Sequence, residues 1–166
     1  MRYLIICILT IFIALITSMN FWRVVEPTLS LEGYGFVKFG SSLLDVEKAL
    51  GEKAQKGTGE VECDFVRFKR YPKAYFMVEN GIVTRANVEE SVPNTLKISV
   101  GMSLADVKNK YPKIIIEPNH YDEKGHDLIF KNANGTKAIL MGESNGKVTD
   151  IRGGLEPSVE YVEGCN

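Results

Sequence analysis

Both histidines of the chain and three of its side-chain carboxylates, Asp122, Glu123 and Asp127, fall in one run, His120-Tyr121-Asp122-Glu123-Lys124-Gly125-His126-Asp127, with Glu117 just before. Imidazole nitrogens and carboxylate oxygens ligate divalent metals, so His120, Asp122, His126 and Asp127 form the candidate ligand set. Their spacing matches no standard metal site, and no third His exists to complete one. The plainer expectation is a solvated loop, turning at Gly125 between two strands, that holds no metal and no cofactor.

Nucleophilic chemistry has less to work with. Ser41, Ser42 and Ser103 stand where helices begin, and capping accounts for them. Cys63 and Cys165 have no His beside them in sequence, and Asp45 and Asp106 have capping work of their own. The expectation is a protein that is not an enzyme. A different kind of chemistry is offered by Arg67-Phe68-Lys69-Arg70-Tyr71-Pro72-Lys73. This basic and aromatic cluster suits an acidic partner or an anionic envelope polymer, with Arg67, Lys69, Arg70 and Tyr71 as the partner-binding residues. The plainer reading is a strand end and a turn forced by Pro72. Tyr34, Phe36, Tyr75 and Tyr121 are core or sheet-face residues by default, though some could line a recognition surface, because an antiparallel sheet has two faces and only one needs the helices.

The elements that must position these groups are legible through an internal echo. Gly40-Ser41-Ser42-Leu43-Leu44-Asp45-Val46 is answered by Gly101-Met102-Ser103-Leu104-Ala105-Asp106-Val107, 61 residues on. Asn80-Gly81-Ile82-Val83-Thr84 is answered by Asn145-Gly146-Lys147-Val148-Thr149, 65 residues on. Two matches in one order point to a duplicated unit. In each, Ser-x-x-Asp is a capping box, with the hydroxyl taking an orphan N–H and the carboxylate reaching back to the N-cap amide. Leu43, Val46 and Leu50, and likewise Leu104, Val107 and Tyr111, recur at helical spacing. Gly51 and Pro112 end the helices. The β-branched and aromatic runs 61–68, 74–79, 82–88, 114–117, 127–131, 137–141 and 147–152 predict strands. Asn80-Gly81, Asn134-Gly135 and Asn145-Gly146 supply the turns between them. The expected fold class is α+β, two tandem helix-plus-antiparallel-meander repeats, one over 35–92 and one over 93–166.

The pattern of strand, Gly-x-Ser-Leu-x-Asp-Val, helix, then a meander ending in Asn-Gly-x-Val-Thr resembles the β-lactamase-inhibitor-protein fold. The inhibitor has two such units in tandem, and the small outer-membrane lipoprotein of the β-barrel assembly machinery has one. The run from about Gly35 to the closing Glu163-Gly164-Cys165 also resembles a widespread group of uncharacterised exported bacterial proteins. What the resemblance implies is a concave sheet that grips another protein. The chain departs from the assembly lipoprotein in lacking an acylated cysteine, since Cys7 lies inside the apolar run.

That run defines the N-terminal end. Arg2 precedes an uncharged apolar stretch over 3–16, with Thr17 and Ser18 at the distance signal peptidase requires. Residues 1–18 are therefore read as a signal peptide or, with Phe21 and Trp22 extending the stretch over 3–22, as an uncleaved N-terminal anchor. Residues 19–34, with Pro27 and Gly33, read as a linker. Either way the remainder is exported to the periplasm or beyond the cell, and any membrane contact runs through the anchor. Removal of Arg2 shifts the net charge from −1 to about −2, which argues against nucleic acid as a partner. Two cysteines remain after export, and an even count in an oxidising compartment favours a disulfide between Cys63 and Cys165. Two free redox thiols are the alternative, though no Cys-x-x-Cys spacing supports it. The function these readings favour is a non-catalytic protein-binding module of the cell envelope: an inhibitor, immunity factor or assembly accessory whose partner is another envelope or secreted protein. The alternative is a small hydrolase or a glycan- or metal-binding protein centred on 120–127.

Overall fold

The computed structural model describes residues 26–57, 59–60 and 62–165. The signal peptide over 1–18 and the anchor over 3–22 lie outside the described residues. No helix among the described residues is long and apolar enough to cross a membrane.

Leu29 and Tyr34 are apolar side chains in a glycine-containing run, and both are buried, at 0% and 1% exposure. They draw the chain into a three-stranded antiparallel sheet of β1 (Leu29–Ser30), β2 (Gly33–Tyr34) and β3 (Val37–Lys38). Leu29 also exchanges backbone bonds with the middle of the chain, its N–H donating to Pro93 and its carbonyl accepting from Thr95, both at 2.9 Å. Within the segment 19–34 read as a linker, Leu29, Gly33 and Tyr34 are therefore buried, while Thr28 and Glu32 stay exposed. Burial of two large side chains outweighs local turn propensity.

Two short helices follow the same design. In α1 (Leu43–Leu50) the Ser42 hydroxyl accepts the Asp45 N–H at 3.1 Å, and in α2 (Leu104–Lys110) the Ser103 hydroxyl accepts the Asp106 N–H at 3.1 Å. Each Asp carboxylate takes the serine's own O–H, at 2.7 and 2.6 Å, instead of reaching the N-cap amide. Aspartate is one methylene shorter than the glutamate of a full capping box. Gly51, at φ 68°, closes α1, while α2 stops at Tyr111 because Pro112 cannot donate the next helical bond. Val46 and Leu50 are buried from the first helix and only Val107 from the second. Each such side chain contributes roughly 1.5–3 kcal/mol, so packing rather than length holds these two-turn helices.

The remaining strands are β4 (Gln55–Lys56), β5 (Cys63–Arg67), β6 (Ala74–Glu79), β7 (Ile82–Val88), β8 (Ile115–Pro118), β9 (His126–Lys131), β10 (Lys137–Ser144) and β11 (Lys147–Leu155). They form one eight-stranded sheet in the order β4-β5-β6-β7-β11-β10-β9-β8, every neighbouring pair antiparallel. The α+β expectation of two helix-plus-meander repeats is thereby corrected: the chain is mostly β, and strands from both halves run together through β7 and β11, from Ile151 opposite Val88 to Gly154 opposite Arg85. Helices of 8 and 7 residues are too small to form a layer of their own beside so much strand. Local construction is nonetheless alike in the two halves. The Leu43 N–H donates to Gly81 and the Leu104 N–H to Gly146, at 2.8 and 2.9 Å. The Asn-Gly turns have positive φ at both residues, 49° and 78° for Asn80-Gly81, 51° and 79° for Asn145-Gly146, the geometry that suits a tight hairpin.

The main core lies between one face of this sheet and the helices with the small sheet, gathering Leu29, Tyr34, Val46, Phe76, Val107 and Ile139 among others. On the opposite face Ile129, Ala138 and Leu140 form a second, smaller apolar cluster covered by Val159. The C-terminal run after β11 therefore crosses a sheet face that a bare meander would have left open.

Candidate functional site

The tip of the β2–β3 hairpin sets an exposed aromatic ring on a tied-down backbone. Gly35, at φ 59°, lies so close to Tyr71 that a Cβ there would come within 2.6 Å of the phenolic oxygen. That contact, and the positive φ, require glycine. The next residue, Phe36, is 71% exposed, yet its backbone N–H donates to the Tyr71 hydroxyl at 2.8 Å. Tyr71 is itself fixed, packed with ring centroids 5.2 Å from Tyr34 and 6.4 Å from Phe76. Phe36, Lys38, Arg70, Tyr71 and Pro27 line a groove of about 530 Å³. The Arg70 backbone is tied to α1's end through its N–H to Glu52 Oε1, 3.1 Å. Burial, reinforced by the charge of Glu26, pushes the Tyr34 phenol beneath Tyr71 up to about 12.

The basic cluster expected to act as one surface is divided by the fold. Tyr71 is 4% exposed and packs in the core, reaching the groove only by its edge. Aromatic packing at a turn flanked by Phe68 and Phe76 wins over its sequence neighbourhood of lysines. Arg70 faces the Phe36 groove, and Lys69 is exposed beside it in the turn. Arg67, two residues earlier on β5, instead places its guanidinium over the Tyr75 ring at 5.1 Å. Phe36 was not singled out by spacing or charge; its place after a glycine in a short hairpin is the only signal for it.

Three polar side chains of the 120–127 loop are engaged by residues just outside it. His126 Nδ1 lies 2.6 Å from Glu143 Oε2, the Asp122 carboxylate accepts from Ser144 at 2.6 Å, and Asp127 accepts from Asn119 at 3.0 Å. The Ser144 hydroxyl and the Lys124 N–H hold the Asp122 carboxyl below its usual value. Among the described residues no group of three or more His, Cys, Asp or Glu side chains is placed to hold a metal. His120 packs edge-on to Tyr121, 4.9 Å between centroids.

Cys63 and Cys165 are bonded to each other, with Cα atoms 5.4 Å apart. An open cleft of about 570 Å³ beside the bond is lined by Glu79, His120, Tyr121, Tyr161, Val162 and Glu163. The fold thus carries the start of the histidine loop to the disulfide, a juxtaposition no spacing foretold. Behind the cleft lies Arg85, 4% exposed, donating from Nη1 to the carbonyls of Tyr161 at 2.7 Å and Ser158 at 3.3 Å. Its guanidinium sits 5.6 Å from the Phe65 ring. Burial first, then the nearby Arg152 charge, pulls it down to about 10. Arg85 also escaped the sequence reading, although a single charge inside Ile82–Val88 is the mark of a strand residue with a special partner.

No known family matches the chain, and no curated protein matches it. A solved structure with a distantly similar fold is an extracellular protein containing a SCP domain from Bacillus anthracis str. Ames, 13% identical with a TM-score of 0.47. The match covers 71% of this chain and 44% of that one, so the chain spans less than half the length of that protein.

Proposed function

We propose that the protein is an exported, non-catalytic binding module of the cell envelope that docks another protein through Phe36 and Arg70. The observation that carries this reading is the fixed presentation of an exposed aromatic ring: Phe36 is 71% exposed while its backbone is pinned to buried Tyr71. An aromatic side chain held in its binding position loses little entropy on docking, and aromatic and Arg residues dominate interface energetics. Lys38 and Arg70 beside it favour a partner with an apolar pocket rimmed by carboxylates. The apolar run over 3–16 and the Cys63–Cys165 bond support export, since such bonds persist in oxidising compartments. An inhibitor, an immunity factor and an assembly accessory all suit a surface of this kind.

The test begins with capture from an envelope extract by the tagged, disulfide-bonded protein, followed by titration of the purified partner. Phe36→Ala and Arg70→Glu are each expected to weaken the partner's affinity at least tenfold, while His120→Ala leaves it unchanged. If the histidine change abolishes binding and the groove changes do not, the 120–127 loop is the working site and docking through Phe36 is wrong.

A further inference from the structure

The C-terminal run is held very unevenly along its length. Its first part is anchored to the sheet. Val159 is fully buried against Ile129, Ala138 and Leu140, its carbonyl accepts from Arg152 Nε at 2.8 Å, and its N–H donates to Leu155 at 2.8 Å. Lys131 adds ion pairs to Glu156 and Glu160 at 3.1 and 2.8 Å. Beyond Glu160 the attachments thin out. Tyr161 and Val162 are 40% and 44% exposed. The side-chain bond from Tyr121 to Glu163 is at the surface, leaving the Arg85 bond to the Tyr161 carbonyl and the disulfide.

What this lightly held end covers is specific. A Cβ on Gly164 would lie 2.6 Å from the Phe65 ring and 3.0 Å from Arg85 Nη2, so the Gly164 backbone sits directly on both. Among the described residues, Arg85 Nε and Glu79 Oε2 are buried beneath with no hydrogen-bond partner. Such groups are stabilised once water or a ligand reaches them. We propose that residues 161–165 are a thiol-gated lid: with Cys63–Cys165 intact they close over Arg85 and Phe65, and reduction of the bond lets them leave while residues 156–160 stay docked. The reductant is a dithiol. One of its thiolates attacks a sulfur of the bond to give a mixed disulfide, and its second thiol resolves that intermediate. Two electrons and two protons pass to Cys63 and Cys165, and the dithiol leaves as its own disulfide. A chain terminus without its covalent tie, with few buried contacts, belongs to the most easily opened parts of a fold. The lid shares no lining residue with the Phe36 groove.

The experiment compares the full chain oxidised and after treatment with dithiothreitol. Arg85 is labelled with p-hydroxyphenylglyoxal and quantified in the digest, with hydrogen exchange followed in parallel. Opening of the lid gives at least tenfold faster labelling of Arg85 on reduction, in a protein whose β6, β7, β10 and β11 amides remain protected as in a folded sheet. Cys165→Ser, which cannot form the bond, should label like the reduced protein. Two outcomes overturn the proposal. Unchanged labelling with both thiols free means the end stays docked without the bond, and loss of protection throughout the sheet, or failure of the variant to fold, makes the bond a staple of the whole domain.

Discussion

The Tyr71 hydroxyl accepts the backbone N–H of Phe36 at 2.8 Å, tying the most exposed large apolar side chain of the described residues to one of the most buried rings. Through this single bond Tyr71 positions the hairpin tip that exposes Phe36.

The two residues should therefore respond differently to substitution. Tyr71→Phe keeps the ring but strands the Phe36 N–H, and is expected to lower unfolding stability by about 1–3 kcal/mol. Phe36→Ala removes only exposed surface and should shift stability by no more than about 0.5 kcal/mol while weakening docking. Urea unfolding of both variants beside a partner titration checks the pair.

Ser42 and Ser103 cap their helices with the same 3.1 Å bond. Ser42→Ala and Ser103→Ala should each cost about 1 kcal/mol. The caps share no hydrogen-bond partner, so the double variant should lose the sum to within about 0.5 kcal/mol. A much larger loss in the double variant would show that the two helices depend on each other.

Closing a loop of 102 residues, the Cys63–Cys165 bond restrains mainly the unfolded chain. The chain-entropy model puts its contribution at up to about 4–5 kcal/mol. Non-reducing peptide mapping of exported protein should recover the linked pair, and reduction should lower the urea midpoint. Recovery of both cysteines alkylated without prior reduction would contradict the bond.

The Lys53 ammonium, and after it the Ala54 N–H, hold the Glu47 carboxyl below its usual 4.5. A carboxyl depressed in the folded state stabilises the fold fully above its unfolded pKa. That contribution is lost as the pH falls through the lower folded value. Stability should accordingly decline on acidification below 4.5, and Glu47→Gln should flatten this part of the profile. Denaturant midpoints measured at several acidic pH values decide it; parallel profiles for wild type and variant would remove Glu47 from the account.

Much of this protein was settled by short-range chemistry. The Ser-x-x-Asp caps, the Asn-Gly turns and the β-branched runs depend on neighbours a few residues away, and helices and hairpins form where they direct. The cysteine pair was legible because only two cysteines lie beyond the apolar run at the N-terminal end. Fold class was misread because strand pairing between β7 and β11 joins residues about 65 positions apart, and no local pattern records whether two meanders merge into one sheet. The same long-range burial drew Leu29 and Tyr34 into the core, turned Tyr71 inward and left Phe36 standing on it. Arg85 acquired its role only when the last residues of the chain were laid across it. Local propensity chose the elements; which face each one hides was decided by competition among all apolar surfaces for one interior, and that competition is resolved only in three dimensions.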